Sequence, residues 1–313
     1  MTEARMPWVG HDPASQRVLE LAHKVAETST TLLITGESGT GKDHLARLVH
    51  ELSPRRDAPY LKIDCASLPQ ELVESELFGH ERGAFTGAVE RKLGRLELAN
   101  GGTIVLDEVA ALAPGSQSKL LRVLEERAFE RLGGTETLRI DARLVALTNA
   151  DLAKAVAAGR FREDLYFRLN VLTITVPPLR DRPADIVPLA ECLLARLAPV
   201  HSRPQASLSA EARGALEAYS WPGNVRELKN VIERALVFSK DAVLAPEDFP
   251  ENVRAGGAAP VGPAGRLRSL EEVEREVIRA TLEATRYKIS KAAEILGISR
   301  KTLLDKRKRY GLD

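Results

Sequence analysis

Residues 31–51 read TLLITGESGTGKDHLARLVHE, and this stretch decides the fold. TLLITG is a short apolar run rich in β-branched residues, the pattern of a buried strand. GESGTGKD (36–43) then fits G-x-x-x-x-G-K, and Lys42 to Glu51 has helical spacing. Strand, glycine-rich loop and helix in that order make a phosphate cradle. Glycines let backbone N–H groups turn toward an anion, and the helix N-terminus adds the positive end of its dipole. Gly36, Glu37, Ser38, Gly39, Thr40, Gly41, Lys42 and Asp43 are therefore candidate nucleotide-binding residues, with the Lys42 ammonium reaching the β- and γ-phosphates. Asp43 stands where the general motif has Ser or Thr on magnesium. That leaves the metal to Thr40, water and a distant carboxylate.

TIVLDE (103–108) supplies the carboxylate, four strand residues that end in two acids. Asp107 is the candidate magnesium ligand and Glu108 the candidate that polarises an attacking water. YLKID (60–64) and ARLVALTN (142–149) are further buried-strand candidates, and helical stretches separate them. Strands alternating with helices predict an α/β fold, a parallel sheet covered by helices on both faces. After Pro177 and Pro178 the strand signals fade. ADIVPLAECLLARLA, SAEARGALEAY and NVRELKNVIERALVF read as helices of a small helical lid. RAGGAAPVGPAG (254–265) reads as a flexible linker. The expected division is an α/β nucleotide-binding part over 1–178, a helical lid over 179–250, a linker over 251–268 and a final helical unit over 269–313.

The chain has 313 residues and 44% apolar content, enough for a sizeable core. No apolar run approaches the roughly 18 residues of a membrane span, and MTEARMPWVGHD lacks the apolar region of a secretory signal. Cys65 and Cys192 match no metal spacing and read as reduced thiols, so a cytoplasmic location is expected. A net charge of +1 says nothing about nucleic acid, but its distribution does. From Arg286 to Arg309 nine bases face two acids, Glu294 and Asp305, a local charge of +7. SLEEVEREVIRATLEAT (269–285) reads as a helix, and ISKAAEILGISRKTLLDKRKRYGL as helix, turn, helix. Ala292 and Ala293 permit close packing, Gly297 suits the turn and Ser299 suits an N-cap. This is a helix-turn-helix layout. Ser299, Arg300, Lys301 and Thr302 lie at the end that meets base edges, while Lys306, Arg307, Lys308 and Arg309 suit phosphates.

ELFGHERGAFTGA (76–88) names a family. Around it, in order, fall GESGTGKD, IVLDE, LLRVLEERAFERLGG (120–134), RLVALTNADL (143–152), GRFREDLYFRLN (159–170), PPLRDRPADI (177–186) and WPGNVRELKN (221–230). From about Val9 to Phe249 the chain resembles the AAA+ P-loop ATPase domain of sigma-54-dependent activators, the bacterial enhancer-binding proteins. Its C-terminal unit resembles the Fis-type DNA-binding domain that closes many of them. The resemblance implies ATP and Mg2+ as cofactors, and sigma-54 RNA polymerase and enhancer DNA as partners. It also implies a hexameric ring with dimeric DNA-binding units on a palindromic site. No receiver or sensory domain precedes Val9 in this sequence. That resembles activators of the phage-shock-operon type, governed by a separate inhibitory protein, and equally fits a chain shortened of its regulatory domain.

Roles carry over position by position. Asn149, with Thr148 beside it, falls on the residue that reads the γ-phosphate, and Arg226 on the lid's sensor of the phosphates. Arg162 and Arg168 fall on arginine fingers that enter a neighbouring subunit's site. Val9 and Gly10 fall on the segment lining the adenine pocket. Gly83, Ala84, Phe85, Thr86, Gly87 and Ala88 form the loop that meets sigma-54, and an apolar ring left outside the core there points to a partner. Ala128 to Thr135 would form the second loop beside it, with Arg131 the residue of interest. Two departures stand out. The second strand ends in Asp64 where the family often has an Asn that restrains the Walker B glutamate, so an acid would face Glu108. Leu304 and Asp305 replace the Tyr and Arg often found in the recognition helix.

Overall fold

The computed structural model describes residues 8–254 and 278–310, apart from 280, 283, 284, 286 and 297. Most of the expected linker, the start of the helix expected over 269–285, Arg286 and Gly297 lie outside the described residues. So do the side chains of Lys301, Asp305 and Arg309. The chain divides into two compact units between Ala259 and Pro260.

The first unit opens with α1 (Pro13–Ala26), capped by the Asp12 side chain on the Ala14 amide. β1 (Leu32–Thr35) follows, then α2 (Lys42–Glu51) and β2 (Tyr60–Asp64). After α3 (Gln70–Phe78), a short hairpin of β3 (Gly79–His80) and β4 (Lys92–Leu93) leads to α4 (Arg95–Leu98) and β5 (Thr103–Asp107). α5 (Pro114–Glu126), a second hairpin of β6 (Ala128–Glu130) and β7 (Thr137–Arg139), and β8 (Arg143–Thr148) come next. α6 (Leu152–Ala157), α7 (Glu163–Leu169) and β9 (Leu172–Thr175) complete the α/β part.

The five long strands form one parallel sheet in the order β2-β5-β8-β1-β9. One face buries Leu33, Leu106 and Ala146 with α3, α5 and α7 residues, and the other buries Ile34, Val105 and Val145 with α1 and α2. The sheet is thus covered on both faces, as the alternating pattern predicts. All four strands read from the sequence are present. β9 carries a weaker signal because it lies at the edge, where only Ile174 of its four residues is buried. The registers bring Asp64 opposite Asp107 and Thr35 opposite Thr148, so the strands end together at one rim. In parallel α/β sheets ligands bind beyond that rim.

The lid packs α8 (Ile186–Val200), α9 (Ala210–Ala218) and α10 (Asn224–Phe238) around Trp221 and Tyr219, both fully buried. A two-stranded parallel pair, β10 (Ser207–Leu208) with β11 (Val243–Leu244), joins the lid's helices. α11 (Glu251–Arg254) occupies positions expected to open the linker. It is helical because Val253 is buried in the lid core. In the second unit α12 (Ile289–Ile295) and α13 (Arg300–Tyr310) bury Ala292, Ala293 and Leu303 with Ile278 and Leu282. Among the described residues no helix is long and apolar enough to cross a membrane.

Candidate functional site: a phosphate-loop cleft and a projecting loop

β1 runs into a loop that its glycines alone can make. Gly41 has φ +104° and Gly39 has φ +79°. A Cβ on Gly39 would lie 2.4 Å from the Gly223 carbonyl oxygen, so the loop and the lid approach too closely for any side chain. α2 starts at Lys42 with no side chain capping it, which leaves its N-terminal amides facing the cleft. Lys42 Nζ donates to the carbonyls of Gly36 (2.8 Å) and Glu37 (3.1 Å), folded back over the loop. Burial pushes this ammonium below its ordinary pKa, and the charges of Glu108 and Asp107 pull it back up.

A cleft of about 730 Å³ lies over the loop. Ser38, Gly39, Gly41, Lys42, Asp43, Asp107 and Glu108 line it from the sheet side, and Arg226 from the lid. Glu108 sits in the left-handed region at φ +52°, costly for a residue with a side chain. That turn aims its carboxylate sideways, where Oε2 accepts the Asn149 amide at 3.1 Å. Asn149 lines an adjoining hollow of about 400 Å³ with Gly36 and Glu37, and Thr148 is buried with its hydroxyl accepting the Ala150 amide. Arg226 donates to Ser38 Oγ at 2.7 Å. Lys42, Asp107, Glu108, Asn149 and Arg226 therefore converge, although they span 185 positions of sequence.

Several expected residues stand elsewhere. Thr40, expected as a metal ligand, is buried, and its hydroxyl donates to the Glu37 carbonyl (2.9 Å) to close the loop. Asp107, the other expected metal ligand, lines the cleft with Asp43 and Glu108, and their carboxylates offer the oxygens that a hard divalent cation takes. Asp64 is engaged by its own turn. Its Oδ1 accepts the amides of Ala66 (2.9 Å) and Ser67 (3.1 Å), because an ionised acid can only accept and the next turn offers the donors. Val9 and Gly10 do not line the cleft. Val9 packs against the lid core, and the following backbone is held by Asp185, whose Oδ1 accepts the amides of His11 (2.6 Å) and Asp12 (2.8 Å). Arg162 and Arg168 also stand off their own cleft. Arg162 pairs with Asp164 (2.7 Å) on the surface, and Arg168 donates to the Leu124 carbonyl (3.1 Å).

The loop between β3 and β4 is closed at its neck by the Gly83 amide donating to the Ala88 carbonyl at 2.8 Å. Gly83, Phe85, Thr86 and Gly87 are exposed and Ala84 is half-buried. Ala88, expected to touch a partner, is buried at 5% exposure because it forms that neck. Phe85 is 42% exposed, with its ring set edge-on to His80 at 4.9 Å. Arg131, expected in a neighbouring loop, is likewise internal. At 4% exposure it is clamped by Glu97, Glu81 and Glu136. Its hairpin grips the base of the projecting loop through Glu81 N–Leu132 O and Leu132 N–Gly79 O, both 3.0 Å.

Sequence reasoning missed the ties that hold this cleft together. Arg180 pairs with Glu37 (2.6 Å), and its hydrogen bond is the chief cause holding the Glu37 carboxyl below the usual range. Buried Asn224 takes the Leu179 amide and donates to Ser38 O. Buried Arg182 donates to Thr40 O at 2.7 Å. All three lie in strings already quoted, but nothing local marks them as loop partners. Lys62 is a fourth. Its ammonium touches both Asp43 (2.5 Å) and Asp107 (2.7 Å). Burial opposes that charge, yet the hydrogen bonds of Asp107 and Asp43 outweigh it and raise the pKa.

In the second unit Ser299 Oγ accepts the Thr302 amide (3.1 Å) and pairs with the Thr302 hydroxyl (2.8 Å), so Ser299 is the N-cap of α13. Arg300 and Lys308 are exposed, Lys306 is half-buried, and Arg307 lies 5.9 Å from the Tyr287 ring centroid. Leu304 is exposed.

Comparison with known proteins places these features. Residues 8–175 match the sigma-54 interaction domain, residues 180–263 an AAA+ ATPase lid domain and residues 269–310 a bacterial regulatory protein domain of the Fis family. The chain is 44% identical over 310 residues to regulatory protein AtoC of Escherichia coli strain K12, covering 97% of this chain and 67% of that one. It is 47% identical over 302 residues to the alginate biosynthesis transcriptional regulatory protein AlgB of Pseudomonas aeruginosa, covering 96% and 67%. It is 46% identical over 295 residues to the Nif-specific regulatory protein of Azotobacter vinelandii, covering 93% and 56%. The crystal structure of NtrX from Brucella abortus in complex with ADP superposes with a TM-score of 0.74 at 34% identity, covering 99% of this chain and 70% of that one. The same protein in complex with ATP gives 0.73, covering 98% and 70%.

Proposed function

The chain belongs to the sigma-54 interaction domain family, and from that premise we propose that it hydrolyses ATP to drive sigma-54 RNA polymerase into open complexes. The observation that carries this reading is the convergence of Lys42, Asp107, Glu108 and Arg226 on one cleft. A triphosphate in that cleft meets the bare N-terminus of α2, the Lys42 ammonium and Arg226 from the lid. Bound Mg2+ would neutralise charge on the phosphates, held by Asp107 with Asp43 beside it. Both offer the oxygen donors that ion prefers. Glu108 orients the attacking water, and Asn149, already on its carboxylate, reports the γ-phosphate. Arg162 and Arg168, standing off their own cleft, serve a neighbouring subunit's cleft in a ring, which we take to be hexameric.

The exposed Phe85 and Thr86 are the sigma-54 contact, and the hairpins behind them carry nucleotide-dependent shifts to that contact. The second unit binds enhancer DNA through α13, with Arg300 and Lys301 toward base edges and Lys306 and Arg307 toward phosphates. The test is an open-complex assay on a sigma-54 promoter with ATP, comparing the natural chain with Thr86→Ala. The variant should keep ATP hydrolysis and lose open-complex formation. Equal open-complex yield from both chains refutes the proposal.

A further inference from the structure

Lys62 projects from β2 toward the cleft and is used by no step above. Its Nζ lies 2.5 Å from Asp43 Oδ1 and 2.7 Å from Asp107 Oδ2, so one ammonium holds both acids at once. Asp43 directly follows the phosphate-loop lysine, and Asp107 ends β5. These are the two carboxylates that line the cleft beside Lys42, apart from Glu108, which is turned onto the Asn149 amide. The Lys62 side chain keeps about a third of its surface exposed (34%), so its contact with the acids can open without unpacking the core.

We infer that Lys62 is a built-in counter-cation that competes with the divalent ion for Asp107 and so sets how strongly nucleotide binding depends on Mg2+. The inference rests on the ATPase reading. Asp107 has lone pairs for both an ammonium and a metal, but two cations crowded on one carboxylate repel each other and share its charge, so Lys62 at 2.7 Å opposes a metal there. With Mg2+ bound, that repulsion would favour Lys62 leaning on Asp43 or water rather than on Asp107. When Mg2+ is scarce, the same ammonium shields incoming phosphates from two carboxylates. Lys62 therefore weakens metal binding and supports metal-free nucleotide binding, two effects of opposite sign from one charge. It is a positioning residue, acting through Asp107 and Asp43.

The test uses the full chain and a fluorescent ADP analogue, titrated in EDTA and again across a Mg2+ series. In Lys62→Met the affinity in EDTA should fall about tenfold, while the Mg2+ concentration giving half-maximal enhancement should fall several-fold. At saturating Mg2+ the two chains should bind nucleotide within about threefold of each other. Lys62→Arg, which keeps the charge, should resemble the natural chain on both axes. Lys62→Gln serves as the neutral variant if the methionine form does not fold. A purely structural role predicts equal weakening in EDTA and in Mg2+, and that result overturns the inference. So does an unchanged Mg2+ midpoint in a folded neutral variant. Failure of the natural chain to bind the analogue at any Mg2+ concentration would instead overturn the ATPase reading.

Discussion

Replacing Arg131 by alanine should loosen the projecting loop from behind. The guanidinium is 4% exposed and meets Glu97 through Nη2 (2.8 Å) and Nε (3.1 Å), and Glu81 (2.9 Å) and Glu136 (3.3 Å) through Nη1. Removing one partner of a buried charge pair costs about 3–5 kcal/mol, because the remaining charges stay uncompensated. Here the carboxylates of Glu97 and Glu81 keep 28% and 34% of their side-chain surface, so water rehydrates them in part. The expected loss is then about 2–3 kcal/mol. In a unit of this size each kcal/mol lowers Tm by roughly 2–4 °C, so Arg131→Ala should melt about 4–12 °C early. Arg131→Lys keeps the charge but not the planar fork and should fall between. Circular dichroism melting reads the stability, and amide exchange over residues 79–89 reads the loop, whose ladder to Leu132 depends on this hairpin. A Tm change under about 1 °C with unchanged exchange would refute the assignment of Arg131 as the anchor.

Three further outcomes are expected. Trp221→Ala should destabilise the lid by about 3–5 kcal/mol, since the ring is fully buried, sits edge-on to Tyr219 and donates to Leu216 O at 2.8 Å; a thermal melt showing less than about 1 kcal/mol would contradict the packing. Asp64→Asn should leave stability within about 0.5 kcal/mol, because Asn caps the same turn, but should slow basal ATP turnover by giving Glu108 an amide donor; unchanged turnover sinks that coupling. Glu37→Gln should cost less than about 1 kcal/mol at neutral pH, the range for so exposed a pair. Arg180 lowers the folded-state pKa of Glu37, so the tie stabilises above the ordinary carboxylate range and is lost as pH falls through the lowered value. The melting difference between the two chains should therefore close as pH falls below the ordinary carboxylate range and through the lowered value, and a gap that persists once the carboxyl is protonated contradicts the ion pair.

The parts of the site that were legible have a common property: each is carried by a few neighbouring residues whose backbone geometry implies the chemistry. Gly36 to Lys42 require a loop open to an anion, and Asp107 with Glu108 at a strand end requires two carboxylates at the rim. Where a residue's partners come from distant parts of the chain, the local string is silent about them. Ala88 belongs to a hexapeptide with four exposed residues, yet it is buried and its carbonyl closes the neck. Arg131 follows a strand with no local sign that Glu81 and Glu97 lie behind it. Thr40 carries an oxygen suited to a metal, but the Glu37 carbonyl is the nearer partner.

The sequence by itself determined the parallel α/β sheet, the phosphate loop, the helical lid and the capped C-terminal helix, because periodicity, glycine placement and capping act over a few residues. Only the tertiary structure decided which charges meet. Lys62 bridges Asp43 and Asp107, Arg182 reaches Thr40 across 142 positions, and Asn224 joins the lid to Ser38 across 186. Such contacts depend on strand order and register, which set long polar side chains beside distant partners and leave almost no trace in the local pattern.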